Sequence, residues 1–275
     1  MSPLLDLAAI GLLVAVTVIV GFAGLRFSRT TGDFFVASRS VGSFFNASAI
    51  SGEYLSAGTF LGLAGLVLLS GSEGFWFPIG YAAGYLLVLL FVAAPLRRSG
   101  AYTIPDFVQA RTESMGARRI TSLLVLVIGW LYIVPQLHGA ALTLGVVADL
   151  PPWVGAVLVA VLVGGIVAAG GMRAITAVQA FQYWLKLTAL AVPVIFLLIA
   201  LSGREPAIDP HAVFPAESGP GGADMYATVS LLIALLLGTI GLPHVLVRFY
   251  TSPTGASARR TTVIVIAMVS VFYAV

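Results

Sequence analysis

The sequence predicts an all-α polytopic membrane protein, and two observations support this class. Hydrophobic residues make up 59% of the 275-residue chain and charged residues only 9%, whereas a soluble domain carries about 25% charged residues. The apolar residues form continuous runs near the length of a membrane-spanning helix, about 20 residues. Cysteine is absent from the sequence. This composition excludes a soluble globular enzyme, a disordered chain and any disulfide or thiolate chemistry.

The first apolar run, residues 4–25, predicts a retained membrane span rather than a cleaved signal. Asp6 lies near its start and no basic residue precedes it, whereas a secretory signal begins with positive charge and has a shorter apolar core. Two further runs, residues 44–69 and 75–96, predict the second and third spans. Five more runs follow and predict spans four to eight, at residues 120–147, 153–169, 178–201, 226–247 and 261–275.

The basic residues are unevenly distributed among the predicted loops. Arg204 lies in a loop after an even-numbered span, and Lys186 lies inside span 6. Cytoplasmic loops are enriched in Lys and Arg, so we predict a multi-pass protein of the cell (cytoplasmic or inner) membrane with its N-terminus outside. The other twelve of the fourteen Lys and Arg residues follow odd-numbered spans: Arg26, Arg29, Arg39, Arg97, Arg98, Arg111, Arg118, Arg119, Arg173, Arg248, Arg259 and Arg260.

The second span carries small and polar residues around Glu53 at its centre. An ionisable residue inside a membrane costs about 3 kcal/mol on insertion scales, so it usually has a partner or a water-filled cavity. A helix that unwinds here would expose carbonyl oxygens suited to a cation and would point a helix N-terminus at an anion. Close packing through Gly58-x-x-x-Gly62 is the alternative. Packing would explain the glycines but not Glu53.

The seventh span is interrupted by Gly238, Gly241 and Pro243, which an ordinary proline kink would explain equally well. The neighbouring His244 is more often a packing or capping residue than a proton carrier. Spans 2 and 7 are five spans apart and are predicted to cross the membrane in opposite directions. Interrupted helices at matching positions of an inverted repeat indicate the binding site of a transporter.

Motifs of enzyme chemistry are missing from the sequence. It has no His-Glu-x-x-His, no phosphate-binding loop ending in Lys-Ser/Thr and no Gly-x-Ser-x-Gly. The three histidines, at positions 138, 211 and 244, are too scattered to predict a metal site. The basic loops are short and lack interleaved aromatic residues, so nucleic acid is not an expected partner.

Four separated stretches occur in the order typical of one transporter family. They begin at Asp33, Ala49, Gly170 and Gly241 and read DFFVASRS, AISGEYLSAGTFLG, GGMRA and GLPHVLVRF. On these motifs the chain resembles the sodium:solute symporter family, and within it the cation–acetate (monocarboxylate) branch, whose members carry Asp where this chain has Glu53. The resemblance implies a five-plus-five inverted-repeat transporter fold with alternating access. It also implies a sodium-coupled symporter, not an enzyme, that imports a small monocarboxylate such as acetate.

The resemblance further implies where sodium and solute bind. The backbone carbonyls of Gly52 and Leu55 would hold the sodium ion, with Glu53 and Ser56 beside it. Sodium is the coupling ion and no cofactor is expected. The expected partners are this ion, a small anionic solute and the lipid bilayer. Residues near the breaks of spans 2 and 7 are expected to contact the solute: Ser51, Tyr54, Thr59, Gln136, Thr239 and Gly241.

In this fold the chain divides into four parts. Residues 1–43 would form a peripheral first transmembrane helix and a cytoplasmic loop, and residues 44–201 the first inverted repeat of five helices. Residues 202–225 would form an extracytoplasmic loop, and residues 226–275 the incomplete start of the second repeat. We therefore expect a fold truncated after about eight transmembrane helices, about half of a symporter, which does not transport alone.

Three other functions fit the same sequence. One is a sodium-coupled symporter for proline, pantothenate or another solute, because proline transporters share the Pro243-His244 stretch. The second is the membrane module of a sensor kinase. The third is a channel, whose flux would not depend on a sodium gradient.

Overall fold

The computed structural model describes residues 3–25, 30–202 and 222–275. Regular structure in these residues is helical throughout. The predicted polar loop at residues 202–225 lies largely outside the described part, as do Arg26, Arg29 and Arg204. The α-helices are α1 Pro3–Leu25, α2 Thr31–Val36, α3 Ser43–Tyr54, α4 Ala64–Ser70, α5 Trp76–Leu87, α6 Ala93–Arg98, α7 Ile104–Thr112, α8 Met115–Ala148, α9 Pro152–Leu201, α10 Gly222–Gly241, α11 Pro243–Leu246 and α12 Gly255–Ala274.

The second predicted span is broken, which confirms the expected interruption. Helix α3 ends at Tyr54, and the next residue, Leu55, has a non-helical ψ of 74°. The chain resumes with a π-helical turn, Gly58–Leu63, that continues directly into α4. The two halves are thus separated by the short stretch 55–57.

The seventh predicted span is also interrupted, at the Gly241–Pro243 position. Leu242 adopts an extended ψ of 106° between α10 and α11. A 3₁₀ turn, Val247–Thr251, follows α11 without a gap. The segments on the two sides of Leu242 are bent by 45°. Pro243 occupies the first turn of the second segment, where its missing N–H costs nothing.

Helix α9 contains two predicted spans joined at a single residue. Its 50 residues would extend about 75 Å at 1.5 Å per residue, far more than the hydrocarbon core of about 30 Å. Gly171 breaks the helix with a φ of +54°, which glycine adopts without strain. A Cβ on Gly171 would also meet the carbonyl oxygen of Phe34 in α2 at 2.7 Å. The predicted loop between spans 5 and 6 is therefore a kink at Gly171.

Glycines mark the closest helix contacts. A Cβ on Gly52 of α3 would lie 2.0 Å from the carbonyl oxygen of Gln179 in α9, so α3 rests directly on this backbone. On α5, Gly80 and Gly84 face α10, and a Cβ on Gly84 would lie 2.5 Å from Thr239. The spacing Gly80-x-x-x-Gly84 is typical of a face on which two membrane helices pack closely. α12 also packs against α3.

Several helices are suited to cross a bilayer. The two bent segments Met225–Gly241 and Pro243–Thr251 are together long and apolar enough to form one broken span. Span 2 is divided by its break, and α1 contributes a shorter apolar helix, Leu7–Ala23. The total of about eight transmembrane helices stays a prediction. The described helices that are long and apolar enough by themselves are Glu73–Arg98, Met115–Ala148, Pro152–Leu201 and Gly255–Ala274.

Candidate functional site

The break after α3 frees two backbone carbonyl oxygens. The amide of Ser56 donates to the carbonyl of Tyr54 at 2.9 Å, and the amide of Thr59 donates to the carbonyl of Ser56 at 3.0 Å. In a continuous helix these two amides would bond four residues back, to the carbonyls of Gly52 and Leu55. The carbonyls that the sequence predicts as sodium ligands are therefore released from helix hydrogen bonding.

Both freed carbonyls bind the side chain of Lys186. Its Nζ donates to the oxygen of Gly52 at 2.7 Å and to the oxygen of Leu55 at 2.7 Å. Lys186 lies in the second half of α9, and it is the only lysine in the sequence. The ammonium group thus lies at the position proposed for sodium. Sequence reasoning did not include Lys186 in the site, although a single lysine inside an apolar span is a usable signal.

Glu53 forms an ion pair that joins the two interrupted spans. Arg248 Nε donates to Glu53 Oε2 at 2.7 Å, and the two side chains are 1% and 17% exposed. Arg248 Nη1 also donates to Thr176 Oγ1 at 2.9 Å and contacts Met172 Sδ at 3.4 Å. The sequence counted Arg248 as a cytoplasmic loop residue, which is wrong. The bend at Pro243 turns the following 3₁₀ segment into the protein, where Arg248 is buried.

A second polar contact reinforces this connection. Asn46, buried on α3, donates through Nδ2 to the carbonyl of Arg248 at 3.1 Å and to the hydroxyl of Ser252 at 3.2 Å. The amide of Val41 donates to the carbonyl of Thr251 at 3.2 Å. The segment before the α3 break and the segment after the α10 break are therefore held together at several points.

A cavity of about 690 Å³ is lined by residues at the α3 break and in the segment that follows it. Gln136 Oε1 in α8 accepts a hydrogen bond from the amide of Ala57 at 3.2 Å, which fixes the start of the second half of the span. Tyr54 contributes its ring to the cavity and packs edge-to-face on Tyr81 at 5.4 Å between centroids. The lining residues are uncharged and come from both interrupted spans, α5, α8 and α12: Tyr54, Ser56, Gly58, Thr59, Gly62, Leu63, Leu66, Phe77, Tyr81, Ile128, Leu131, Tyr132, Pro135, Gln136, Ala234, Leu235, Gly238, Leu242 and Tyr273.

The cavity brings together three of the six residues predicted to contact solute, namely Tyr54, Thr59 and Gln136. The other three lie outside its lining. Ser51 and Thr239 are fully buried between helices, and Thr239 donates its hydroxyl to the carbonyl of Leu235 at 2.8 Å. Gly241 lies at the end of α10, beside the bend. Of the predicted sodium-site residues, Ser56 lines the cavity.

Three of the tyrosines that line the cavity were not predicted from the sequence. Tyr81, Tyr132 and Tyr273 lie far apart along the chain and converge on one cavity. The ring of His244 packs on Tyr132 at 4.1 Å between centroids, in agreement with a packing role. Tyrosine in an apolar span is equally typical of a membrane interface, so the sequence offered no signal for this convergence.

An apolar helical chain in which two interrupted helices meet at one cavity, beside released carbonyl groups, has the features of a membrane transport protein. A model of the sodium:solute symporter family matches residues 34–275. The chain belongs to this family. Its members are transporters rather than enzymes, and they use sodium as the coupling ion. The family and the apolar helices together indicate a multi-pass membrane protein.

Two curated relatives align along almost the whole chain. The chain is 34% identical over 280 residues to a protein of Bacillus subtilis (strain 168) named "Uncharacterized symporter YwcA", covering 98% of this chain and 53% of the relative. It is 31% identical over 297 residues to a "Monocarboxylic acid transporter" of Corynebacterium glutamicum, covering 99% of this chain and 54% of the relative. The chain therefore spans about half the length of these relatives.

Proposed function

We propose that the protein encoded by the complete reading frame is a sodium-coupled symporter that imports a small monocarboxylate, such as acetate, by alternating access. One observation carries this proposal: the break of the second span releases two carbonyl oxygens beside a cavity that both interrupted spans line. The relative from Corynebacterium glutamicum, named a monocarboxylic acid transporter, supports the solute class.

We place the sodium ion at the carbonyls of Gly52 and Leu55. Carbonyl oxygens are hard ligands that suit an alkali cation, and the negative end of the α3 dipole favours positive charge at the same point. Glu53 follows Gly52 directly, so its carboxylate adds negative charge near the ion. Ser56 follows Leu55 and lines the cavity, where its hydroxyl provides a further oxygen.

The solute carboxylate would bind at the start of the second half of span 2. Ser56, Gly58 and Thr59 line the cavity there, and the amide groups at a helix start attract an anion. The apolar and aromatic walls suit the alkyl part of a small monocarboxylate. A different conformation from this one would be needed for the other proposed contacts, which are Ser51, Thr239 and Gly241.

In the alternating-access cycle, the Glu53–Arg248 ion pair would close the path between the cavity and the cytoplasm. With the N-terminus outside the cell membrane, the cavity faces outward and the ion pair lies on its cytoplasmic side. The first repeat would comprise residues 44–201 and the second would begin at residue 226, in a five-plus-five arrangement. Release of solute inward would then require Glu53 and Arg248 to separate.

Counterflow in proteoliposomes tests the solute class. Separate batches of vesicles containing the protein from the complete reading frame are loaded with unlabelled acetate, proline or pantothenate, and each batch is diluted into the same solute in labelled form with sodium on both sides. The proposal expects labelled acetate to accumulate transiently and proline to remain at the level of protein-free vesicles. Counterflow of proline or pantothenate without acetate would refute the monocarboxylate assignment.

A further inference from the structure

The side chain of Lys186 places a positive charge beside the two carbonyl oxygens that the break of span 2 releases. The two carbonyls that its Nζ binds, those of Gly52 and Leu55, each lie at 2.7 Å. Hydrogen bonds from an ionised donor are roughly twice as strong as neutral ones. The ammonium therefore satisfies two acceptors that the helix break would otherwise leave without partners.

The same oxygen pair cannot hold two cations at once. A sodium ion bound to the carbonyls of Gly52 and Leu55 would occupy the space of the Lys186 Nζ. Even when displaced to about 4 Å from each other, two unit positive charges repel strongly in a site that excludes water. Occupation by sodium and by the ammonium group of Lys186 is therefore mutually exclusive.

We propose that Lys186 is a tethered competitor of the coupling ion, which fills the carbonyl pair when sodium is absent and must leave before sodium binds. This inference rests on the proposed sodium-coupled function and adds a specificity-determining residue to it. In the empty state the ammonium holds the break in the geometry that sodium later needs. When sodium binds, the side chain of Lys186 moves away and its ammonium group no longer contacts the two carbonyls.

This competition sets the sodium concentration that transport requires. Apparent affinity falls in proportion to the fraction of molecules whose site is open. If the lysine leaves the site open in about one molecule in ten, removal of its charge lowers the required sodium concentration about tenfold. The methionine side chain is unbranched and flexible enough to fill the space without a charge.

Uptake by variants of the protein from the complete reading frame provides the first test. Lys186→Met should reach half-maximal uptake of labelled acetate at about one tenth of the wild-type sodium concentration. Lys186→Arg, the matched control, keeps the charge and should require at least as much sodium as the wild type. An unchanged or higher sodium requirement in Lys186→Met overturns the inference.

Chemical labelling of the wild-type protein provides a test that needs no variant to fold. Within residues 1–275 Lys186 is the only lysine, so a peptide containing it reports the modification of a single side chain by 2,4,6-trinitrobenzenesulfonate, a reagent that releases no carboxylate. In the absence of solute, sodium chloride should accelerate this modification several-fold relative to choline chloride of equal ionic strength. A modification rate that is equal or lower in sodium overturns the inference.

The two proposals fail in different ways. If acetate uptake by the wild type does not depend on the sodium gradient, the proposed function itself is refuted. Sodium-driven uptake in the wild type, with the same sodium requirement in Lys186→Met, refutes only the role of Lys186. The labelling is measured without solute, so its result does not depend on which solute is carried.

Discussion

The Glu53–Arg248 ion pair should be strongly coupled in the folded protein. Arg248 is almost fully buried, Glu53 is mostly buried, and their closest atoms are 2.7 Å apart. Breaking a buried ion pair by removing one partner costs about 3–5 kcal/mol because it leaves an uncompensated charge. Glu53→Gln keeps the shape of the side chain but leaves the buried guanidinium without a countercharge, so we expect a loss of about 3 kcal/mol.

The reverse substitution should cost less. Arg248→Met leaves the carboxylate of Glu53, which is 17% exposed and can recover some hydration. The loss should then be about 1.5–3 kcal/mol, the value of a hydrogen bond to a charged group. The double variant leaves no unpaired charge, so its loss should fall short of the sum of the single losses by about 2 kcal/mol, within the range seen for contacting residues.

The free energy of unfolding can be measured for all four proteins in mixed detergent micelles with increasing dodecyl sulfate. Residues that do not interact give additive losses to within about 0.5 kcal/mol. Additivity at that level would refute the conclusion that this ion pair connects the two interrupted spans.

Three further predictions follow from the site geometry. Gly52→Ala should lower the free energy of unfolding by about 3 kcal/mol or more, because its Cβ would collide with the α9 backbone; Gly62→Ala, with open space at its Cβ, should change it by less than 1 kcal/mol. Gln136→Leu should raise the acetate concentration for half-maximal uptake about tenfold, because it removes a polar group worth about 1.4 kcal/mol at the cavity, whereas Thr143→Val, on the same helix but outside the lining, should leave it within about twofold. Glu53→Gln should raise the sodium concentration for half-maximal uptake severalfold, which a sodium titration of uptake would show, and an unchanged titration would contradict a role for its charge.

The interruptions of the two spans were predictable because they depend on local chemistry. Glycine and serine around Glu53 weaken helix hydrogen bonding, and Pro243 removes an amide donor, so both breaks could be located from the sequence. The kink at Gly171 was predicted as a loop instead. A glycine with positive φ can redirect a helix within one residue, and hydropathy does not distinguish the two cases.

The partners across the site could not be predicted because they depend on tertiary packing. Lys186 lies 131 and 134 positions from the carbonyls it binds, and Arg248 lies 195 positions from Glu53. Arg248 was assigned to a loop because a proline-interrupted apolar run normally ends there, whereas the 45° bend carries it inward. The helix break that releases these carbonyl oxygens was predictable, but the ammonium group that binds them was not.

Sodium-driven accumulation of acetate tests the central claim most directly. Proteoliposomes containing the protein from the complete reading frame are filled with potassium buffer and diluted into sodium buffer with labelled acetate, with pH and membrane potential clamped. A sodium-coupled symporter should concentrate acetate above its external level and lose this accumulation when sodium is equal on both sides. Equal acetate flux with and without the sodium gradient would contradict coupled symport and would indicate a channel instead.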